Sequence, residues 1–260
     1  MSRILVLAAM PALCLSLALC AFAPSSSLGV PTATMSAALT PERLGAPTAI
    51  SAGFRISWSE PRPPVLTGVA LAYPHNLGFA TSGLGIAACD PALLGENGPA
   101  VCPANSRMGS GNALVEIPLG GFLHREAIQL TLLAGPSPNG VLHVLVGAVG
   151  SFPVSAVEVL SGELLPGALR LTVPPIPTLP EGPYVSLVEM HLVLGGALTY
   201  YEREHGRNVP YHPAGIGLPR TCPRDGFAFA ATFSFLNGQH ARARTAVACP
   251  RRRWRTQTPQ

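Results

Sequence analysis

The sequence predicts an all-β fold, an antiparallel β-sandwich of the immunoglobulin-like or jelly-roll-like kind, closed by two disulfides. Three observations predict it: a composition rich in turn-forming residues, short apolar stretches that recur along the chain, and four widely spaced cysteines. The 260 residues include 27 Gly and 28 Pro, 48% are hydrophobic and 12% are charged. Such a composition is typical of a packed chain with many turns and few long helices.

The apolar stretches have the length and spacing of β-strands. In residues 50–58, Ile50, Phe54 and Trp58 fall on one face of an extended chain, with small or polar residues between them. No long amphipathic helical pattern separates the stretches, which favours a sandwich over a βαβ fold. One short helical turn is predicted at residues 90–95, capped by Asp90 and ended by Gly95. The other predicted strands are residues 65–73, 113–117, 127–134, 141–149, 154–160, 169–173, 185–194 and 227–235.

The last predicted strand begins a hairpin whose register can be derived. Asn237-Gly238 is a strong turn signal. A two-residue turn would set Phe233 opposite Arg242 and would put arginine on the apolar face. A three-residue loop ending in Gly238 sets Phe233 opposite Ala241 and turns Arg242 outward. We expect this bulged turn, with Gly238 at positive φ.

The two ends of the chain differ from its centre. Residues 1–23 have the pattern of a secretory signal peptide: Arg3, an apolar run, and Ala-Phe-Ala at 21–23. The apolar run is about 20 residues long, enough for an uncleaved membrane anchor, which stays open as an alternative. Residues 24–48 predict a Pro/Ser/Thr/Ala-rich linker, residues 49–250 the β-sandwich domain, and residues 251–260 a basic disordered tail. The expected location is outside the cell or in its envelope.

The cysteines predict a disulfide framework. Two of the six lie in the leader, which leaves Cys89, Cys102, Cys222 and Cys249. Four cysteines allow three pairings, and proximity favours Cys89–Cys102 and Cys222–Cys249. Each bridge is worth about 3 to 4 kcal/mol in the loop-entropy account. Zinc binding by these cysteines is disfavoured because the chain has no close Cys-x-x-Cys pair.

Residues 83–113, 169–182 and 221–239 together carry a recognisable pattern. It runs Cys, Cys-Pro-x-x-Ser-x-x-Gly-x-Gly, Leu-Pro-x-Gly, Cys-Pro, an aromatic strand, an Asn-Gly turn and a final Cys. The pattern resembles a group of uncharacterised exported proteins of GC-rich actinobacteria. The resemblance implies secretion and a shared disulfide framework, and it brings no catalytic residue. The arginine tail looks like a departure from the group.

Two polar segments are candidates for chemistry. In YYEREHGRNVPYHPAG, residues 200–215, Glu204, His205 and His212 are weak candidate metal ligands. The segment has no H-E-x-x-H motif, and a tyrosine-rich polar loop explains it equally well. The glycines of Gly109-Ser110-Gly111 lack the Lys-Ser/Thr ending of a phosphate-binding loop, so we expect a tight turn there. No cofactor is expected.

Charge limits the choice of partners. Setting aside the leader and the tail leaves 12 Arg against 13 acidic residues, a balance that does not favour nucleic acid. The tail, with its RRRWR run, could contact anionic cell-envelope polymers. We expect a non-enzymatic structural or binding protein, and the alternative is a hydrolase or metal-dependent enzyme using the 202–212 Glu/His loop. A binding role predicts an exposed apolar patch on a sheet face or a loop end.

Overall fold

The computed structural model describes residues 29–59, 62–137, 140–151, 155–196 and 198–250. The predicted leader and the predicted basic tail lie outside these ranges. The described residues form one α-helix, α1 (Pro91–Asn97), and short 3₁₀ helices at Thr81–Gly83, Pro99–Val101 and Ala104–Ser106. The strands are β1 (Thr32–Thr40), β2 (Ala49–Ser57), β3 (Leu66–Ala72), β4 (Gly78–Phe79), β5 (Arg107–Leu119), β6 (Phe122–Ala134), β7 (Leu142–Val149), β8 (Val157–Leu165), β9 (Ala168–Thr172), β10 (Ser186–Gly195), β11 (Tyr200–Glu204), β12 (Arg207–Tyr211), β13 (Ile216–Gly217), β14 (Phe227–Phe235) and β15 (His240–Val247).

Eleven of these strands form one antiparallel sheet, in the order β1-β2-β10-β5-β6-β7-β8-β9-β3-β14-β15. Its two edge strands, β1 and β15, lie next to each other, so that the sheet curls around its own core and is nearly barrel-shaped. Two small sheets, β11–β12 and β4–β13, lie outside it. The predicted all-β antiparallel fold with two disulfides is confirmed. Opposite parts of the sheet share one core, as in a sandwich, while hydrogen bonds connect them into a single sheet.

Alternation along the strands decides which side chains enter the core. In β2, Ile50, Phe54 and Ile56 are buried, whereas Arg55 is exposed and hydrogen-bonds Glu189 of β10 at 2.7 Å. The same period of two runs through β14, where every second residue is a buried side chain. The strand predicted from residues 50–58 is therefore confirmed with its predicted inward face.

Strand β1 corrects the predicted linker. Residues 32–40 lie in the segment 24–48 that is predicted to be a Pro/Ser/Thr/Ala-rich linker, yet they pair with β2 over their whole length. The prediction is wrong there, and the folded domain starts before residue 49. Side chains along β1 alternate between the inside and the outside of the sheet, and the inward ones are Ala33, Met35, Ala37 and Leu39. Alanine is depleted in strands, so two alanines among four inward positions hid the alternation.

The terminal hairpin has the predicted register. Phe233 of β14 lies opposite Ala241 of β15, and Arg242 is exposed. Gly238 has φ 80°, and its N–H donates to the Phe235 carbonyl at 2.9 Å. The bulged three-residue turn is confirmed, because it alone keeps arginine off the phenylalanine face.

Both predicted disulfides are present. Cys222 and Cys249 join the segment before β14 to the segment after β15, with their Cα atoms 5.8 Å apart. Cys89 and Cys102 flank α1, and the helix contacts the outer face of β7 and β8. Two disulfides are typical of proteins that fold in an oxidising, extracellular environment. Within the described ranges, none of the helices has both the length and the apolar character needed to cross a membrane.

Helix α1 begins as predicted and ends later. The Asp90 carboxylate accepts hydrogen bonds from the backbone N–H groups of Ala92 and Leu93, at 2.8 and 3.4 Å. The prediction that Gly95 ends the helix is wrong: the helix continues to Asn97 and stops at Gly98, which has φ 76°. Positive φ is the feature that marks the end, and Gly98 is the residue that adopts it.

The predicted tight turn at Gly109-Ser110-Gly111 is also wrong. All three residues lie inside β5, beside β10. A Cβ on Gly109 or Gly111 would collide with the carbonyl oxygens of Val193 and His191. These glycines allow two strands to approach closely.

Candidate functional site: an apolar cavity at one end of the sheet

A cavity occupies the interior of the sheet at the end where the β5–β6 hairpin turns. Its volume is about 130 Å³, and it is partly open. Its lining ends at Gly150 and Ala156 beside the start of β8 and at Pro174 and Ile176 after β9, and we call this end the mouth. Strands β3 and β5 to β10 supply its wall. The side chains and backbone that line it belong to Leu66, Val69, Ala113, Val115, Ile117, Glu126, Ile128, Leu130, Val146, Ala148, Gly150, Ala156, Glu158, Leu160, Leu171, Val173, Pro174, Ile176, Val185, Leu187, Met190 and Leu192.

The cavity exists because the inward side chains on this side are small or aliphatic. Ile128, Ala148 and Leu160 point into the sheet, yet each keeps part of its surface accessible. Interior-facing side chains that remain accessible mark a space that the core does not fill. A closed sheet of more than about eight strands encloses more volume than its own side chains fill, unless large residues occupy it.

The opposite end of the interior is packed more closely and keeps a space of about 40 Å³, to which Tyr73 and Phe79 contribute. Leu84 and Ile216 are almost completely buried there, and Tyr73 packs its ring against Phe79 with centroids 4.7 Å apart. The Tyr73 hydroxyl donates to the Leu165 carbonyl, and burial raises the pKa of this phenol.

Two carboxylates interrupt the apolar wall. Glu126 of β6 is 2% exposed, and its Oε1 accepts a hydrogen bond from the Ser151 N–H at 2.6 Å. Glu158 of β8 is half-buried, and burial raises the pKa of its carboxyl. Among the described residues, none hydrogen-bonds or ion-pairs with the Glu158 carboxyl. The first carboxylate fastens the segment after β7, while the second faces the cavity and has no partner among the described residues.

Exposed apolar side chains surround the same end of the molecule. Phe122 and Leu123 follow the β5–β6 turn and are 73% and 43% exposed, and Leu179 is 52% exposed. All three border one shallow surface depression with Arg62. An apolar patch at a loop end is the surface feature expected of a binding role.

The sequence-predicted site residues are not brought together. Residues 200–211 form a hairpin, β11 and β12, turned by His205 (φ 48°) and Gly206 (φ 80°). Glu204 and His205 are exposed at its tip. His212 follows the other end of β12, where its Nδ1 lies 3.3 Å from the Leu198 carbonyl oxygen. In the described part of the chain, no three His, Cys, Asp or Glu side chains form a group that could hold a metal ion.

The tyrosines of this segment have a structural role instead. Tyr200 is 1% exposed, and its hydroxyl donates to the Arg107 carbonyl at 2.6 Å while accepting from the Gly85 N–H at 2.7 Å. Burial raises the pKa of this phenol. Tyr200 thus anchors the hairpin to the start of β5, and the predicted polar loop is a paired, anchored element.

Sequence reasoning missed the cavity and both of its carboxylates. Glu158 stands between Val157 and Val159, so apolar residues occupy the alternate positions on both faces of β8 and the inward face could not be identified. Val159 packs on the outside, next to Leu94 of α1. No family model, curated protein or solved structure matches this chain. The geometry of the cavity is therefore the basis for assigning a function.

Proposed function

We propose that this chain is an exported binding protein that holds an apolar small molecule in the cavity. The observation that carries the proposal is the open, almost entirely aliphatic cavity inside the sheet. Sites for small molecules are concave and mostly apolar, and mouths of closed sheets are among their usual positions.

The size of the cavity fits part of a ligand rather than solvent. An engineered aliphatic cavity of about 150 Å³ stays dry and binds benzene. The present cavity is of similar volume, about 130 Å³. Because the cavity is partly open, a longer molecule can place its apolar part inside and leave the rest at the mouth. The exposed side chains of Phe122 and Leu179 would meet that outer part.

Export is part of the proposal. The signal-peptide pattern of residues 1–23 and the resemblance to exported actinobacterial proteins support secretion, and the two disulfides fit the same compartment. The basic run of residues 251–255 would hold the protein near anionic envelope polymers. The enzyme alternative has less support, because Glu204 and His205 lie at one end of their hairpin and His212 at the other.

A fluorescence titration with N-phenyl-1-naphthylamine, an uncharged apolar probe, tests the proposal. The wild-type protein should give a saturable rise in fluorescence. Ala148→Phe places a ring in the cavity and should weaken binding at least about tenfold. The matched control is Ala127→Phe on neighbouring β6, where the side chain faces solvent, and it should bind the probe like the wild type.

Thermal melts show whether both variants are folded before their binding is compared. A wild-type protein that gives no saturable signal would contradict the proposal. So would equal probe binding by folded Ala148→Phe and Ala127→Phe, because the probe would then bind elsewhere.

A further inference from the structure

We propose that the ligand is a cationic amphiphile: an aliphatic or aromatic body in the cavity, with a protonated amine at the mouth against the Glu158 carboxylate. This inference rests on the proposed function, since it names the class of molecule that the same cavity takes.

The composition of the wall gives the first argument. Glu126 and Glu158 are the ionisable side chains among the described lining residues, and neither a basic side chain nor a hydroxyl or amide side chain accompanies them. An anionic head group would meet two carboxylates and no cation. An uncharged apolar ligand would leave a carboxylate facing hydrocarbon. A cationic head group is the chemistry that both carboxylates favour.

The two carboxylates differ in what they already do. Glu126 is committed to the protein, because its Oε1 holds the Ser151 N–H at 2.6 Å. Glu158 has no such partner among the described residues. A carboxylate facing an apolar wall loses hydration without compensation, and a cation that enters beside it restores a partner. Glu158 is accordingly the residue that we expect to contact the head group.

The position of Glu158 along its strand sets the orientation of the ligand. Ala156 and Gly150 form the rim at this side, joined by the hydrogen bond from the Gly150 N–H to the Ala156 carbonyl at 3.0 Å. Glu158 is the next inward residue along β8 and pairs with Ala148. Beyond it, the inward wall is apolar, with Leu160 next on the same strand. The head group therefore lies near the mouth and the apolar body extends inward.

The outer face of β8 is covered at this point, and Glu158 on the inner face keeps only part of its surface accessible. Val159, on the outer face, packs against the cluster formed by Leu94 and the Cys89–Cys102 disulfide. Glu158, on the inner face, lines the cavity. An acidic residue on an outward strand position is unremarkable; Glu163, farther along β8, is such a residue and is exposed.

Competition by three ligands with the same eight-carbon chain tests the inference. Octylamine, octan-1-ol and octanoate are titrated against bound N-phenyl-1-naphthylamine at pH 7, on the wild-type protein, on Glu158→Gln and on Glu163→Gln. On the wild type, octylamine should bind at least about tenfold tighter than octan-1-ol, the size expected of a charged hydrogen bond, and octanoate should bind weakest. Glu158→Gln should lose that preference, while Glu163→Gln removes the same charge outside the cavity and should keep it.

The outcomes separate the two proposals. If the wild type does not bind the uncharged probe, the proposed function fails and the ligand class fails with it. If the probe binds but octanoate or octan-1-ol displaces it as well as octylamine does, the cavity is a site and the cationic class is wrong. If Glu158→Gln binds the probe normally and keeps the amine preference, Glu158 does not contact the head group.

Discussion

The two sides of the curved sheet are built differently. On one side, β2 and β14 fill the interior with phenylalanine: Phe54 and Phe233 meet edge to face with ring centroids 5.4 Å apart. The rings of Phe227, Phe229 and Phe235 are buried beside them. On the other side, β5 to β8 present valine, leucine, isoleucine and alanine, and their inward side chains enclose the cavity. We call these the aromatic side and the hollow side.

The packing difference between the two sides suggests how one sheet can combine a stable core with a proposed binding site. Burial of apolar area stabilises the fold, and close-packed rings provide it on the aromatic side. The described residues that line the cavity on the hollow side include no such rings, and several of their inward side chains keep accessible surface. We infer that the aromatic side contributes most to stability, and the proposed ligand would bind on the hollow side.

Truncation on the two sides should have the largest and most unequal effects on stability. Phe233→Ala removes a completely buried ring, and we expect it to lower the free energy of unfolding by about 3 to 5 kcal/mol. Leu160→Ala faces the cavity and should cost under about 2 kcal/mol, because its side chain is already partly solvated. Urea titrations measure both. Ile56→Ala, on the aromatic side, removes a side chain of similar size to that of Leu160, and we expect it to lower the free energy of unfolding by more. Equal losses for the two variants would show that the two sides do not differ in this way.

Each side also has its own disulfide, and the two should differ in strength. Cys222–Cys249 closes the hairpin of the aromatic side over a separation of 27 residues, whereas Cys89–Cys102 spans 13 and holds α1 on the outside of the hollow side. Replacing either pair by alanine should cost about 2 to 4 kcal/mol. In the loop-entropy account, the disulfide that closes the longer loop stabilises the fold by about 0.6 kcal/mol more than the other. A smaller loss for the Cys222/Cys249 pair than for the Cys89/Cys102 pair, by chemical denaturation, would contradict this order.

The hairpin turn of the aromatic side gives a smaller, sharper test. Gly238→Val places a β-branched residue at φ 80° and should cost about 1 to 3 kcal/mol. Arg242→Ala, on the exposed face of β15, should stay within about 0.5 kcal/mol of the wild type. Denaturant midpoints for the two variants decide. If Arg242→Ala lowered the denaturant midpoint more than Gly238→Val does, Arg242 would contribute to the packing of the aromatic side.

The smallest effect concerns pH on the hollow side. Burial raises the pKa of Glu158 in the native state. At a pH between the ordinary carboxyl pKa and this raised pKa, the native state keeps a proton that the unfolded chain has already released. Stability from this residue is thus fully present below the ordinary pKa and falls as pH rises through the raised pKa. Glu126 is the other ionisable lining residue. We expect Glu158→Gln to melt above the wild type at neutral pH, with a difference that narrows in acid.

Glu163→Gln is the control for that measurement, because it removes an exposed carboxylate from the same strand. The difference in melting temperature between Glu163→Gln and the wild type should not narrow in acid as it does for Glu158→Gln. A Glu158→Gln variant that melts below the wild type at neutral pH would show that the carboxylate has a stabilising partner, and the hollow side would then lack its unpaired acid.

The aromatic side was the predictable side. Its strands alternate large apolar and small residues, as in Phe227 to Phe235, so one face is identified without reference to the rest of the fold. The Asn237-Gly238 turn fixed the pairing, and the position of Cys249 made its bridge to Cys222 reachable. Local pattern was sufficient for the terminal hairpin because β14, β15 and the two cysteines are close in sequence.

The hollow side could not be predicted in the same way. Strands β7 and β8 carry apolar residues on both faces, since α1 covers their outside while the cavity lies inside. A period of two then carries no information about which face is inward. The cavity itself depends on the curvature of eleven strands, a long-range property. Strand β1 was missed for a different reason, the low strand preference of its alanines.

Photolabelling tests the central claim, that the hollow side is the binding site, most directly. An octylamine analogue carrying a diazirine is bound, irradiated, and located by mass spectrometry of tryptic peptides. Cleavage after arginine yields residues 126–170, which hold most of β6 and all of β7 and β8, and residues 225–242, which hold β14. We expect label within 126–170, at inward residues such as Leu130, Ala148 and Leu160, and excess octylamine should abolish it. Label that excess octylamine abolishes within 225–242, together with no label within 126–170, would contradict binding on the hollow side.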